Sequence, residues 1–150
     1  MESQNYVNRL SITLDVDWAC DGVLSDTLDL IDSCGIPVTI FVTHETPLLA
    51  RMRRDPLITL GIHPNFLPLL QHSGSAAYDT VLKEMTALVP EAKFIRGHAL
   101  IDATPILVSA KALGFQADLN LFIPFSSGIP LKPFTHFSGI KRIPFFYEDD

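Results

Sequence analysis

The sequence predicts an α/β fold in which parallel strands are covered by crossover helices. Apolar runs rich in Val, Ile and Phe alternate with segments of helical period, and no internal repeat or linker breaks that alternation. The chain has 150 residues, 47% of them hydrophobic and ten of them Phe. That is one-domain size, with enough apolar surface to form a core without disulfides or metals.

The first strand is expected over Leu10–Leu14, closing on Asp15. Leu24, Leu28 and Ile31 follow at helical spacing, with Asp21 or Ser25 available as a cap and Gly35 as the left-handed stop. Pro37–Val42 reads as the second strand. Thr46-Pro47 then places a capping hydroxyl before a proline at the first helical position, where the missing N–H costs nothing. Leu57–Ile62 is the third strand. Tyr78, Leu82, Met85 and Val89 form an apolar stripe that predicts a helix from about Ser75 to Val89, packed on the core. Lys93–Ile95 is a fourth strand. Thr104-Pro105 starts a further helix that ends at Gly114, and Gln116–Leu121 and Lys141–Tyr147 complete the set. In such an order the carboxyl ends of parallel strands share one face, where loops build the active site.

Composition excludes several functions. The net charge is −6, from 11 Lys and Arg against 17 Asp and Glu, and a nucleic-acid backbone requires a positive field instead. The one basic cluster, Arg51 to Arg54, reads as a solvated helix face. No run approaches the roughly 20 apolar residues of a membrane span, and the polar stretch 1–8 lacks the regions of a signal peptide, so the expected compartment is the cytoplasm. Cys20 and Cys34 have no metal or redox spacing and are expected to be small buried hydrophobes in a reduced compartment.

The chemistry gathers at the strand ends. In "SITLDVDWAC" the acids Asp15 and Asp17 are two apart, so on an extended strand they project to the same side, about 7 Å from one another. Two carboxylates that close need a cation, a proton or a basic partner. The second strand ends at Thr43-His44, the third at His63 and Asn65 in "LGIHPNF", and the fourth at Arg96 and His98 in "FIRGHAL". A carboxylate with imidazoles and an open position for water is a hydrolytic metal arrangement.

"TLDVDWA", "IPVTIFVTH", "LGIHPNF" and "FIRGHAL" resemble the successive motifs of the polysaccharide deacetylase superfamily, the NodB-homology domain. The nearest likeness is to a divergent branch found among O-antigen and other surface-polysaccharide genes. The resemblance spans roughly residues 10 to 147. It implies an irregular (β/α) barrel and metal-dependent removal of an N-acetyl group from a sugar or a polysaccharide precursor. By motif, Asp15 corresponds to the general base, Asp17 to the metal-binding carboxylate, His63 to the first metal histidine and Arg96 to the arginine that orients the base. Zinc is the expected divalent ion.

The sequence departs from that family in three ways. Leu67 stands where a second metal histidine usually does, four residues after His63, so His98 is taken as the third ligand, with His44 or Asn65 behind it. Val16 separates acids that are usually adjacent, so their roles could be exchanged. The chain also stops at "IPFFYEDD" without the family's late histidine strand. This implies a shortened barrel over 1–150 lacking its last strand, with open edges that favour a homo-oligomer. Glu148, Asp149 and Asp150 could pair with Arg96 or form a solvated tail. His136, in "KPFTHFSG", lies in a loop by composition and is not assigned as the acid. Trp18, His44 and Asn65 are candidates for contact with substrate, and Trp18 with Phe66 could wall a sugar face or serve as core.

Other classes compete. "DVDWACDGVLSDT" resembles the opening of haloacid-dehalogenase-type phosphatases, in which the first aspartate attacks phosphorus and Thr43 would hold the phosphate. Glycosyltransferases use a D-x-D pair to hold a metal and nucleotide sugar. A noncatalytic carbohydrate-binding module that lost part of its metal site is the reading from outside enzymes.

Overall fold

A computed structural model describes residues 10–70 and 78–147. In chain order the elements are β1 (Ile12–Asp15), α1 (Asp21–Cys34), β2 (Val38–Val42), α2 (Leu49–Met52), β3 (Ile58–Ile62), α3 (Leu67–Leu70), α4 (Tyr78–Leu88), β4 (Phe94–Ile95), α5 (Thr104–Ala112), β5 (Ala117–Asp118), β6 (Phe134–Thr135) and β7 (Lys141–Arg142). They build one open seven-stranded sheet of order β1-β2-β3-β4-β5-β7-β6, parallel except for the β6–β7 hairpin. The α/β architecture and parallel order are those expected. The barrel is not closed, since β1 and β6 are the two outer strands.

Period-two alternation separates the two faces of this sheet. Leu14, Ile40, Val42, Leu60, Ile62 and Ile95 join the large core, together with Leu24 and Leu28 of α1 and Ile106 and Leu107 of α5. On the other face, Phe41 packs with Ala117 and Leu119 in a smaller cluster. Phe41 lies beside Gly61 in the β2–β3 register. A Cβ at Gly61 would come within 2.6 Å of two Phe41 ring carbons, so glycine there makes room for the aromatic ring. Thr13, Asp15, His63 and Arg96 fall in the same alternation as Phe41, which sends their side chains to this second face as each strand ends.

Several local expectations change. The strand at 141–147 is only two residues long, because Pro144 cannot donate to a ladder; a separate bridge, Phe122 to Phe145, continues the pairing beyond it. The segment around His136, expected as loop, contains β6 and a tight turn in which Gly139 has φ of 85°. α1 is not capped by Asp21 or Ser25. Cys20 occupies the cap position without a side-chain bond, and Asp21, the first helical residue, accepts a hydrogen bond from the Thr46 hydroxyl at 2.6 Å. Gly35 ends α1 as expected, with φ of 63° and its N–H on the Ile31 carbonyl.

Thr46 accepts the Leu48 N–H, but the helix it introduces is a single turn. Thr104 is the first residue of α5 and Ala103 its cap, so that threonine hydroxyl is not the capping group. Cys20 and Cys34 are both exposed and free, correcting the expectation of burial: they flank the ends of α1, outside its Leu24, Leu28 and Ile31 stripe. Arg51 reaches Asp29 and Asp32 at 2.6 Å each, tying α2 to α1 at the surface. The expected start of α4 near Ser75 and the acids Glu148, Asp149 and Asp150 lie outside the described residues. Among the described residues no helix is long and apolar enough to cross a membrane.

Candidate metal centre

The parallel register aligns the carboxyl ends of β1, β3 and β4, and five polar side chains meet there. Asp15 closes β1. Asp17 lies two residues on, but the strand has already ended: Asp17 and Trp18 are left-handed, with φ of 44° and 58°. The acids therefore do not share a side of an extended strand. The turn instead brings Asp17 across the strand ends, where its Oδ1 stands 3.2 Å from His63 Nε2 and 2.9 Å from His98 Nδ1. The two imidazoles are edge to face, with centroids 5.4 Å apart.

His63 follows β3 directly, and its N–H donates to the Val42 carbonyl at 2.7 Å. It is buried, and burial lowers the pKa of its ring against the pull of Asp15 and Asp17, with His98 also lowering it. Burial thus favours the neutral ring, which keeps a lone pair for a ligand. Its Nδ1 is buried without a hydrogen-bond partner and faces Asp15 Oδ1 at 3.7 Å. His98 lies on a short turn after β4, anchored by its N–H on the Pro64 carbonyl at 2.9 Å. Asp17, His63 and His98 offer three donor atoms that all lie within 4.8 Å of one another. One carboxylate and two imidazoles suit a divalent ion of the zinc, iron, cobalt or nickel kind. The donor set fits.

Asp15 is held by Arg96, whose Nη1 lies 3.1 and 3.3 Å from its two oxygens. The same guanidinium donates from Nη2 to the Thr13 hydroxyl at 2.8 Å and from Nε to the Leu119 carbonyl at 3.2 Å. It also lies over the rings of Phe41 and Phe145, 4.7 and 4.8 Å from their centroids. Burial raises the Asp15 pKa from the ordinary carboxylate value, His63 and Arg96 oppose that shift, and Asp17 adds to it. A carboxylate so placed is fixed in direction and more basic than one in water, as proton abstraction requires.

A cleft of about 810 Å³ opens beside these groups, between the outer side of β1 and residues 145–147, and it reaches Asp15, Asp17, His63, Arg96 and His98. The other residues singled out by sequence do not converge there. Asn65 Oδ1 accepts the Leu67 N–H at 2.9 Å, starting α3, and does not line the cleft. His44 Nδ1 stands 2.9 Å from the Thr43 hydroxyl, outside the cleft and the cluster. Trp18 is 46% exposed and edge-on to His98, with centroids 4.9 Å apart. Phe66 is core.

The Thr43 hydroxyl receives the Trp18 N–H at 3.2 Å, a turn-forming bond that does not leave it aimed at a phosphate in the cleft. His136 contacts Ser138 in its hairpin, again outside the cleft. Sequence reasoning missed Thr13 and Phe145, which help hold Arg96. Thr13 was legible as the alternate residue before Asp15.

Known proteins share this fold. A family described as WbmS-like polysaccharide deacetylase matches residues 12–150. A crystal structure from Bordetella bronchiseptica, of a candidate polysaccharide deacetylase involved in O-antigen biosynthesis, superposes with a TM-score of 0.88 at 40% identity. The match covers 92% of this chain and 57% of that one, so the chain spans little more than half the length of that structure. No curated protein matches significantly.

Proposed function

Because the chain belongs to the WbmS-like polysaccharide deacetylase family, we propose that it hydrolyses the N-acetyl group of a sugar or of a sugar unit in a surface-polysaccharide precursor such as that of an O-antigen. A divalent metal, zinc by preference, would be held by Asp17, His63 and His98. The observation that supports this reading is the meeting of one carboxylate oxygen and two ring nitrogens beside an arginine-held aspartate.

When bound, such an ion would supply Lewis acidity, polarising the acetyl carbonyl and lowering the pKa of the attacking water so that it gives up a proton readily at neutral pH. Asp15 takes the proton from the attacking water. Arg96 holds that carboxylate in place and, with His63, opposes the burial that favours its neutral form. As the C–N bond breaks, the departing amine needs one proton, and the one collected by Asp15 balances the reaction to free amine and acetate. Trp18, edge-on to His98 and partly exposed, would offer its ring to a sugar face or the acetyl methyl from outside the cleft lining.

The test couples metal content to acetate release from a panel of N-acetylated monosaccharides and oligosaccharides. The native chain is expected to hold about one divalent ion per chain. Asp17→Ala and His63→Ala lose the ion with the fold intact by circular dichroism. Asp15→Asn keeps it and loses on the order of 10²–10⁴ in rate. A chain that takes up no divalent metal, or whose acetate release is indifferent to Asp15→Asn, overturns the proposal.

A further inference from the structure

The turn that delivers His98 is an unusual piece of chain to carry a ligand. Ala99 and Leu100 both have φ of 53°, a left-handed conformation that side chains disfavour. Only two backbone bonds close the turn on itself, Leu100 N–H to the Gly97 carbonyl at 3.0 Å and Ile101 N–H to the His98 carbonyl at 3.3 Å. A Cβ on Gly97 would come within 2.3 Å of the Ile101 carbonyl oxygen, so the turn is wound tightly. Something outside it must hold that shape.

Side chains from the far half of the sheet grip both of its ends. Asn120 Oδ1 accepts the Gly97 N–H at 2.7 Å, and Asn120 Nδ2 donates to Asp118 Oδ1. Asp118 Oδ2 accepts from Arg142 Nε at 2.8 Å, and Arg142 Nη2 donates to Asp102, just beyond the turn. The path Gly97, Asn120, Asp118, Arg142, Asp102 thus leaves the chain one residue before His98 and returns four residues after it. Asp118 is fully buried and Asn120 nearly so. Burying such groups is costly unless every one is bonded, and an apolar pair would fill these two positions at less cost. Neither residue lines the cleft.

We propose that Asp118 and Asn120 are positioning residues that hold the His98 turn in its ligating geometry, an inference that rests on the metal-site reading above. They act through Gly97 and Asp102 and touch neither the ion nor the substrate. Hydrogen-bonded supports of metal ligands typically contribute 10- to 100-fold in affinity.

The test is a cobalt(II) titration of the full chain, followed by its visible absorption and read to millimolar metal. Asn120→Ala is expected to weaken cobalt binding by about 10- to 100-fold and to alter the absorption bands. In a His98→Ala background the same substitution is expected to change affinity by less than about twofold, since the ligand it serves is gone. A merely structural role would weaken both backgrounds alike.

Equal weakening in both, or no weakening in either, overturns the inference while leaving the metal reading in place. A native chain that binds no cobalt overturns the metal reading itself, and this inference with it. Should Asn120→Ala fail to fold, Asp102→Ala, at the partly exposed end of the path, carries the same expectation at smaller amplitude, and its failure to weaken binding counts equally against the inference.

Discussion

Arg96 uses its guanidinium in three directions, towards Asp15, Thr13 and the Leu119 carbonyl. A lysine keeps the charge but has one nitrogen and no planar fork to span those acceptors or to lie flat on Phe41 and Phe145. Arg96→Lys is therefore expected to lower kcat by on the order of 10- to 100-fold while metal content stays unchanged. Parallel measurements of steady-state acetate release and bound metal check this, and loss of the metal would show that Arg96 supports the ligands rather than the base. Asp15, His63, Arg96 and His98 were legible in the sequence because each is a polar residue closing an apolar run. Asp118 and Asn120 have the same form in "ADLN" and passed unnoticed, because a buried acid on the helix-facing side of a strand has no distinguishing pattern until a distant partner such as Arg142, 24 residues on, is in place. His44 misled for the converse reason: it too closes a strand, but its ring turns back to Thr43.

Among the elements, β2 and β3 are held in register by packing as much as by their ladder. Gly61→Ala would press a methyl into the Phe41 ring and approach the Phe94 carbonyl at 3.0 Å. A cost of about 1–3 kcal/mol is expected, visible as a lower urea midpoint at unchanged slope. A smaller shift than that of an exposed Gly22→Ala control would refute it.

On β5, burial raises the pKa of Asp118 from its ordinary value of 3.8, against the pull of Arg142. The folded chain then holds that proton more tightly than the unfolded chain. The corresponding stability is complete below 3.8 and is lost as pH rises through the folded value. The melting temperature of the native chain should accordingly fall relative to that of Asp118→Asn as pH is raised from about 4, and a relative rise would contradict the direction. Longer elements were read well from sequence: α1 from its stripe and Gly35, β2 and β3 from their apolar runs. The two-residue strands β4 to β7 were blurred, since so short a stretch gives periodicity nothing to repeat.

For the molecule as a whole, the candidate ligands come from three separate segments, after β1, after β3 and after β4, so binding an ion would join parts of the sheet that are distant in sequence. A ligand bound only by the folded state stabilises it by about 2.7 kcal/mol at a hundredfold excess over Kd. The native chain is expected to melt at higher temperature with zinc or cobalt than with chelator, and His98→Ala to lose most of that gain. An equal gain in both would place the ion elsewhere. The open sheet followed less directly from sequence than its parallel order. Order is set by local alternation, whereas closure depends on whether β1 meets a partner across the cleft, which no local pattern encodes.

Asp17, Trp18, Ala99 and Leu100 are the four residues other than glycine with positive φ among those described, and all four adjoin the same ligands. Each such conformation costs about 1–3 kcal/mol in a residue with a side chain. Any campaign to harden this protein against heat would be drawn to those positions, where glycine relieves the backbone. Each success would loosen the candidate ligands, so gains in endurance would be set against the proposed activity at one corner of the molecule.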